Sequence, residues 1–569
     1  MTYRAPVSEY QFIFDHIVDF ATVLETDSFA EIDADTVQAI LNEAANLTSN
    51  VIAPLDRGGD VTPATLVDGV VKTSPGFGDA LTQVAEGGWI GMLAEPENGG
   101  MGLPLTVATA VNEMMSGACL SLSLYPLMTQ GQIEALEHHA SDEIKALYLP
   151  KLISGEWCGT MNLTESGAGS DVGALRTKAT RNDDGSYAIT GQKIFITWGD
   201  NDFSENVCHL VLARLPDGVE GTKGISLFMV PKVIPNADGT LGEANSLSVV
   251  SLEHKLGIHG SPTCVMAYEG AKGWLVGREH EGMKCMFTMM NNARLGVGVQ
   301  GVGVAEAATQ KALAYAEDRV QGASPIGREG GSILDHADVR RMVATMRAET
   351  FVARCLSLAC GVALDRGRLD PDQQARGAFL IPIAKAFSTD IGHEVAQTGV
   401  QVHGGMGYIE ETGAAQYARD ARITSIYEGT NGIQAMDLVG RKLMDGGDAA
   451  FALLDEIEAF AEEARAVLPR RAIAVWNAAE TLREGVETML ALPMNDRFAG
   501  AVPFLRAFAR VLGGHYHLKA AIAEGGEGKH SRLAAFYIKR MLPEHTALLA
   551  QARLGSADVY ALSSEDLTA

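Results

Sequence analysis

A chain of 569 residues is too long for one hydrophobic core and divides into roughly three to five domains or layers. With 47% hydrophobic and 20% charged residues it is a folded chain, not a disordered one. The net charge of −26 argues against a nucleic-acid partner, which is held by cationic neutralisation of phosphates, but a local cation cluster could still take an anionic small molecule.

The first stretch, "MTYRAPVSEYQFIFDHIVDF", carries acids through its apolar pattern and lacks a small-residue cleavage site. It reads as neither a signal nor a transit peptide. No window reaches the ~18 apolar residues of a membrane span, so the expectation is a soluble, cytoplasmic protein. Residues 1 to about 157 read as helical. Val37, Ile40, Leu41, Ala44 and Leu47 form a face of period 3.6, and "PENGGMGLP" is a loop before another long helix. From 158 to about 278 the character changes. "GSYAITGQKIFITWG", "VCHLVLARL", "GISLFMVPKV" and "TCVMAYEGA" are short β-branched runs bounded by Gly, Asp and Pro, as in a small antiparallel β domain. Residues 279–445 are helical again, and a Gly-Gly break leads into a further helical region, 446–569. Seven scattered cysteines, with no Cys-x-x-Cys pair or metal spacing, suit a reducing compartment, and no metal site is expected.

Three stretches carry candidate chemistry. "GVGVQG" (Gly296, Gly298, Gly301) fits the dinucleotide pattern G-x-G-x-x-G, but no strand precedes it. Small residues permitting close helix approach explain it better. Thr164 to Asp171, "TESGAGSD", places two glycines and hydroxyls beside open backbone N–H groups. That is either a cradle for an anionic or carbonyl-rich group or a plain β-turn. "IYEGTNGIQ" sets Glu428 in a turn, where an isolated glutamate is most often solvated.

Taken together, "EPENGGMGLP", "YLPKLISGEWCGTMNLTESGAGSDV", "GQKIFITWG", "HKLGIHGSPT", "NNARLGVGVQGVG", "YAEDRVQG", "HADVRRM", "QVHGGMGYIEE" and "ARDARITSIYEGTNGIQ" occur in the order and spacing of one family. Up to about residue 445 the chain resembles the acyl-CoA dehydrogenases. The resemblance implies an α+β fold: an N-terminal helical domain (1–157), a middle antiparallel β domain (158–278) and a four-helix bundle domain (279–445). FAD would lie between the last two. The extra helical domain (446–569) and "GTNGIQAMDLVGRK" look like the extended subfamily that includes 3-methylthiopropanoyl-CoA dehydrogenases.

The resemblance also assigns roles. Glu428 matches the catalytic base that removes the α proton of the thioester while the β hydrogen leaves as hydride to the flavin. Leu163, Thr164 and Ser170 match the segment contacting the flavin, with Ser170 also reaching substrate. Phe195 and Thr197 match positions packing on its ring; the family often has tryptophan at Phe195. Arg319 matches the arginine that meets the FAD pyrophosphate, although a solvated helix arginine would look the same. Gln401 and Gly405 match positions reaching FAD from a neighbouring subunit, which implies a homodimer or homotetramer. Thr430 and Asn431 face the flavin in relatives, and Gly429 and Arg294 match substrate-side positions, Arg294 being equally readable as a structural arginine. Gly322 and Gly432 depart from the usual aromatic and glutamine, leaving the adenine environment open.

The activity implied is dehydrogenation of an acyl-CoA, short-chain and specifically 3-methylthiopropanoyl-CoA, with electron-transferring flavoprotein as acceptor. The alternatives are an acyl-CoA oxidase using O₂, a medium- or long-chain dehydrogenase, and a non-catalytic DNA-binding flavoprotein. The last needs a basic C-terminal region, whereas this one contains "DEIEAFAEEARAV".

Overall fold

The computed structural model describes residues 3–568, apart from the side chains of residues 291 and 292, which open the Asn-Asn-Ala-Arg stretch. It divides into two compact units. One comprises residues 46–104 and 118–293; the other comprises residues up to 45, 105–117 and those from 294 onward.

The first unit is built on a seven-stranded sheet. Thr263–Val276, Tyr187–Thr197, Lys178–Arg181, Asn206–Arg214 and Ile225–Pro231 pair in sequence, and the last pairs again with the first, closing a circuit. Alternate residues point inward along each strand, so Ile189, Ile196, Val211, Phe228, Val230, Met266 and Tyr268 share one buried core. Pairing is antiparallel except where Asn206–Arg214 meets Trp157–Asn162 and Lys178. The region expected to be wholly helical contains a hairpin, Thr65–Val67 with Val70–Lys72. Its Asp68 and Gly69 have φ of 50° and 79°, the twist a two-residue hairpin needs. Three-residue strands are too short to show periodicity, but Val71 is fully buried in the sheet's core.

In the second unit three long helices, Gly282–Asp318, Ala337–Arg366 and Pro371–His403, carry the load, the first entering the unit at Arg294. Asp370 caps the third by accepting from the Asp372 and Gln373 N–H groups, with Pro371 pre-set for the first turn. The glycines of "GVGVQG" lie inside a helix, as their lack of a preceding strand implied. A Cβ on Gly298 would stand 3.0 Å from the Ala384 carbonyl oxygen, and one on Gly301 2.3 Å from that of Ser388. Glycine is required there because two helix backbones touch.

Charges stitch the helices together. Buried Arg354 donates to Glu113 at 2.6 Å and Glu306 at 2.8 Å, and its guanidinium lies over the Tyr10 ring. The tail helix Met494–Ala523 packs on Ala337–Arg366 and Pro371–His403 through Arg510–Glu349 (2.6 Å) and Phe508 against Phe379. The first helix, Val7–His16, meets the tail where Phe12 stacks on His530 at 3.9 Å and Glu9 pairs with it at 3.3 Å. No helix among the described residues is long and apolar enough to cross a membrane, and all seven cysteines are free and buried.

Candidate functional site

Glu428 has φ +53°, a left-handed conformation that a non-glycine residue adopts only when its surroundings impose it. Gly429 follows at φ +83°, and a Cβ there would lie 2.8 Å from the Gln434 amide nitrogen. Thr430 then caps the short helix Asn431–Asp437 by accepting from the Ile433 N–H. The grip comes from the Pro371–His403 helix. Fully buried Lys385 donates from Nζ to the Gly429 carbonyl and to Asn431 Oδ1, both at 2.9 Å. Asn431 Nδ2 donates to Asp390 at 2.7 Å, and Gln434 Nε2 reaches the Glu428 carbonyl at 3.3 Å.

With its backbone clamped, the half-buried Glu428 side chain accepts no hydrogen bond among the described residues. Burial raises its pKa, and nearby Arg294 and Lys385 only partly offset that. A carboxylate that is unpartnered and raised toward neutrality is poised to take a proton. Arg294 is buried, with Nη1 3.5 Å from Asp437 and Nε without a partner. Burial depresses even its pKa, with Asp437 opposing. A buried guanidinium with a spare donor can receive a carbonyl or anionic oxygen. Tyr427 donates to Gln300, closing the turn on the side of the Gly282–Asp318 helix.

The β unit holds a second constellation. Glu165 and Ala168 exchange backbone hydrogen bonds at 3.1 and 3.0 Å, so "ESGA" is a tight hairpin. Buried Lys193 fixes it from below, donating to the Leu163 carbonyl and to Glu165, each at 2.9 Å. Burial lowers the Lys193 pKa to about 8 against the opposing Glu165. The backbone N–H groups of Thr164, Ser166, Gly167, Gly169 and Ser170 find no protein acceptor among the described residues, and nothing stands within 4 Å of a Cβ at Gly167 or Gly169. Two residues of Tyr187–Thr197, Ile194 and Phe195, face Val265 alone, a bulge that turns Phe195 outward. Phe195 sits at φ +62° and is 59% exposed, a flat apolar face in a strained position. Thr197 is half-buried beside it. Open N–H groups and a presented aromatic ring fit a cofactor with a planar ring and an anionic linker.

The structure does not bring every expected residue together within this chain. Gln401 lies sixteen positions beyond Lys385 on one helix, about 24 Å along its axis. Arg319 lies just past the end of Gly282–Asp318, twenty-five positions, or about 37 Å, from Arg294. Tyr315 stacks on His403 at 4.4 Å, so Arg319, Gln401 and Gly405 share one end of the bundle, remote from Glu428. All three are exposed, as are Met406, Tyr408 and Ile409 around them. Lys385, Asp390 and Gln434 were not apparent in the sequence; a lysine inside "IPIAKAF" was the only signal. Asp217, Glu279 and His280 have ligand atoms close enough for a metal, but Arg181 already pairs with both carboxylates.

Known proteins match this arrangement along the chain. Residues 61–156, 160–271 and 280–444 match the N-terminal, middle and C-terminal domains of acyl-CoA dehydrogenase, and 453–563 match a domain described as acetyl-CoA dehydrogenase C-terminal like. The 3-methylmercaptopropionyl-CoA dehydrogenase of Ruegeria pomeroyi is 44% identical over 99% of this chain and 96% of its own length. A butyryl-CoA dehydrogenase of Syntrophomonas wolfei is 36% identical over 75% and 73% respectively. An acyl-CoA dehydrogenase complexed with FAD from Bacillus anthracis shares the fold at a TM-score of 0.75 and 21% identity, covering 99% of this chain and 93% of that one. The chain belongs to the acyl-CoA dehydrogenase family of oxidoreductases.

Proposed function

We propose that this enzyme dehydrogenates a short acyl-CoA, 3-methylthiopropanoyl-CoA by preference, with Glu428 as the base. The observation carrying it is the unpartnered, pKa-raised carboxyl of Glu428 on a clamped left-handed turn. The substrate rests on the Ruegeria pomeroyi relative, whose similarity runs through the tail as well as the shared domains.

Glu428 takes the α proton of the thioester. Arg294, with its spare Nε, favours negative charge nearby and so the ionised form of the base. FAD, when bound, supplies the acceptor for the β hydride, so substrate loses one proton and one hydride and leaves as the α,β-enoyl thioester. Leu163, Thr164 and Ser170 with the neighbouring open N–H groups would hold its polar edge and linker, and Phe195 and Thr197 its ring. Thr430 and Asn431 would line the side facing the base, and Gly429 and Ser170 would meet substrate. Electron-transferring flavoprotein is the proposed electron acceptor. An O₂-using oxidase is the competing reading, separated by measuring H₂O₂ release against dye reduction.

A thioether at the fourth chain position is nearly isosteric with a methylene, and each methylene is worth only ~1–3 kcal/mol in an apolar pocket. Butanoyl- to hexanoyl-CoA should therefore overlap with the methylthio substrate in kcat/KM, with a sharp fall by palmitoyl-CoA. Thioesters of fourteen to sixteen carbons outperforming it would overturn the substrate assignment while leaving the family intact.

We also propose that Arg319, Gln401 and Gly405 complete the flavin site of a second copy; supporting this, all three lie exposed at the end of the bundle remote from Arg294 and Lys385. Arg319→Ala should lose FAD and thermal stability together, as loss of a ligand bound only to the folded state requires. Co-expressed with Glu428→Gln, it should recover about a quarter of wild-type activity, since half the dimers are mixed and each contains one intact site. No recovery would place Arg319 in its own subunit's site.

A further inference from the structure

We propose that Lys385 is a positioning residue for the reaction: it clasps the turn bearing Glu428 and supplies the positive charge that keeps that carboxylate ready to accept a proton. The inference rests on Glu428 being the base.

The geometry is specific. Lys385 has no exposed surface, yet Nζ spends two donors on the turn, one on the Gly429 carbonyl and one on Asn431 Oδ1. A lysine is seldom fully buried without a carboxylate partner, and the described residues offer Nζ no carboxylate within salt-bridge distance. Its nearest negative charges are Glu428 and Asp390, which partly oppose the burial that lowers its pKa to about 8. Asp390 is itself engaged by Asn431. Gly298 makes the placement possible, since a Cβ there would stand 3.2 Å from the Lys385 Cα.

Two tasks follow. Hydrogen bonds to Gly429 and Asn431 hold residues 428–431 in a backbone shape Glu428 would not otherwise adopt. The charge acts with Arg294 against the burial that would leave the carboxyl protonated and inert. The other ionisable groups packed around Glu428 are Tyr427 on its own turn, Asp390 beside Lys385, and Asp437 and Arg441, which pair beyond Arg294.

The test uses FAD-saturated full-length enzyme and two readouts, the pH profile of kcat/KM and an infrared titration of the carboxyl band lost in Glu428→Gln. Lys385→Met should move the acid limb and the band together to higher pH by about one unit or more, as removal of a nearby opposite charge does. Lys385→Gln keeps a donor without the charge and carries the same test should the methionine variant not fold. Asn431→Ala, which leaves the charge in place, should lower the plateau without moving the limb. A limb and band that stay put in the folded lysine variants would overturn the proposal even if Glu428→Gln is inactive. A shifted band in Lys385→Met with an active Glu428→Gln would leave the positioning intact and remove the base instead. A limb moved equally by Asn431→Ala would show a loosened turn and no role for the charge.

Discussion

Glu428→Gln should keep its bound FAD and lose about 10²–10⁴-fold in kcat/KM, the range over which a positioned base contributes. The amide preserves the volume and polarity of the side chain but cannot take the α proton. Stability should move the other way. Burial raises the Glu428 pKa above its unfolded value, so the folded protein binds more protons than the unfolded chain between the two values. Its contribution is therefore complete below the ordinary carboxylate range and is lost as pH rises through the folded pKa. The glutamine variant should melt about 1–2 °C higher near pH 8, with the gap closing below pH ~4. Turnover above a few per cent, or a variant that melts lower at pH 8, would contradict the environment described for this carboxyl.

Arg354→Met should be the most destabilising single change, costing about 3–5 kcal/mol, because it leaves buried carboxylates without their shared cation. Glu306 keeps Arg347 at 3.0 Å, which with Arg354 outweighs burial and holds its pKa at about 2 in the intact protein. Among the described residues Glu113 has no second arginine, and burial already raises its pKa despite Arg354. Without Arg354 that rise grows, and a raised folded pKa means stability is lost with increasing pH. The deficit in denaturant midpoint should accordingly widen from pH 5 to pH 8. Adding Glu113→Gln should recover much of the loss at pH 8 by removing the stranded charge. A cost that does not vary with pH would show that lost packing against Tyr10, not charge, dominates.

What could be read beforehand was whatever has a local signature. Alternating β-branched runs marked the strands because a half-buried strand must alternate, and Gly298 and Gly301 marked helix contact because no strand preceded them. Glu428 was found through its neighbours in sequence. The clamp was not, because Lys385 precedes it by 43 positions and reads locally as a lysine whose stem covers apolar surface. Only the fold shows that its head turns inward. The parallel pairing of Trp157–Asn162 with Asn206–Arg214 was hidden for the same reason, since hydrophobic runs do not state their direction. Arg319, Gln401 and Gly405 are a different case. Each matched a family position, and the fold places all three at the exposed end of the bundle, remote from Glu428.

The stacking of Phe12 on His530 has a bearing on how the chain is made. Glu9 and His530 meet across 521 residues. At ~5–20 residues per second, the first helix waits roughly half a minute to two minutes on the ribosome before its partner is synthesised. Throughout that interval Phe12 and Glu9, which meet His530 in the finished molecule, have no tail to pack on. The Asn431–Asp437 helix waits as well, because Phe498 and Met494 cover its flank only once the tail helix emerges. A nascent chain released near residue 445 thus still lacks the tail that packs on Val7–His16 and Asn431–Asp437. Holdase chaperones should find their longest-lived substrate in this protein at its amino end.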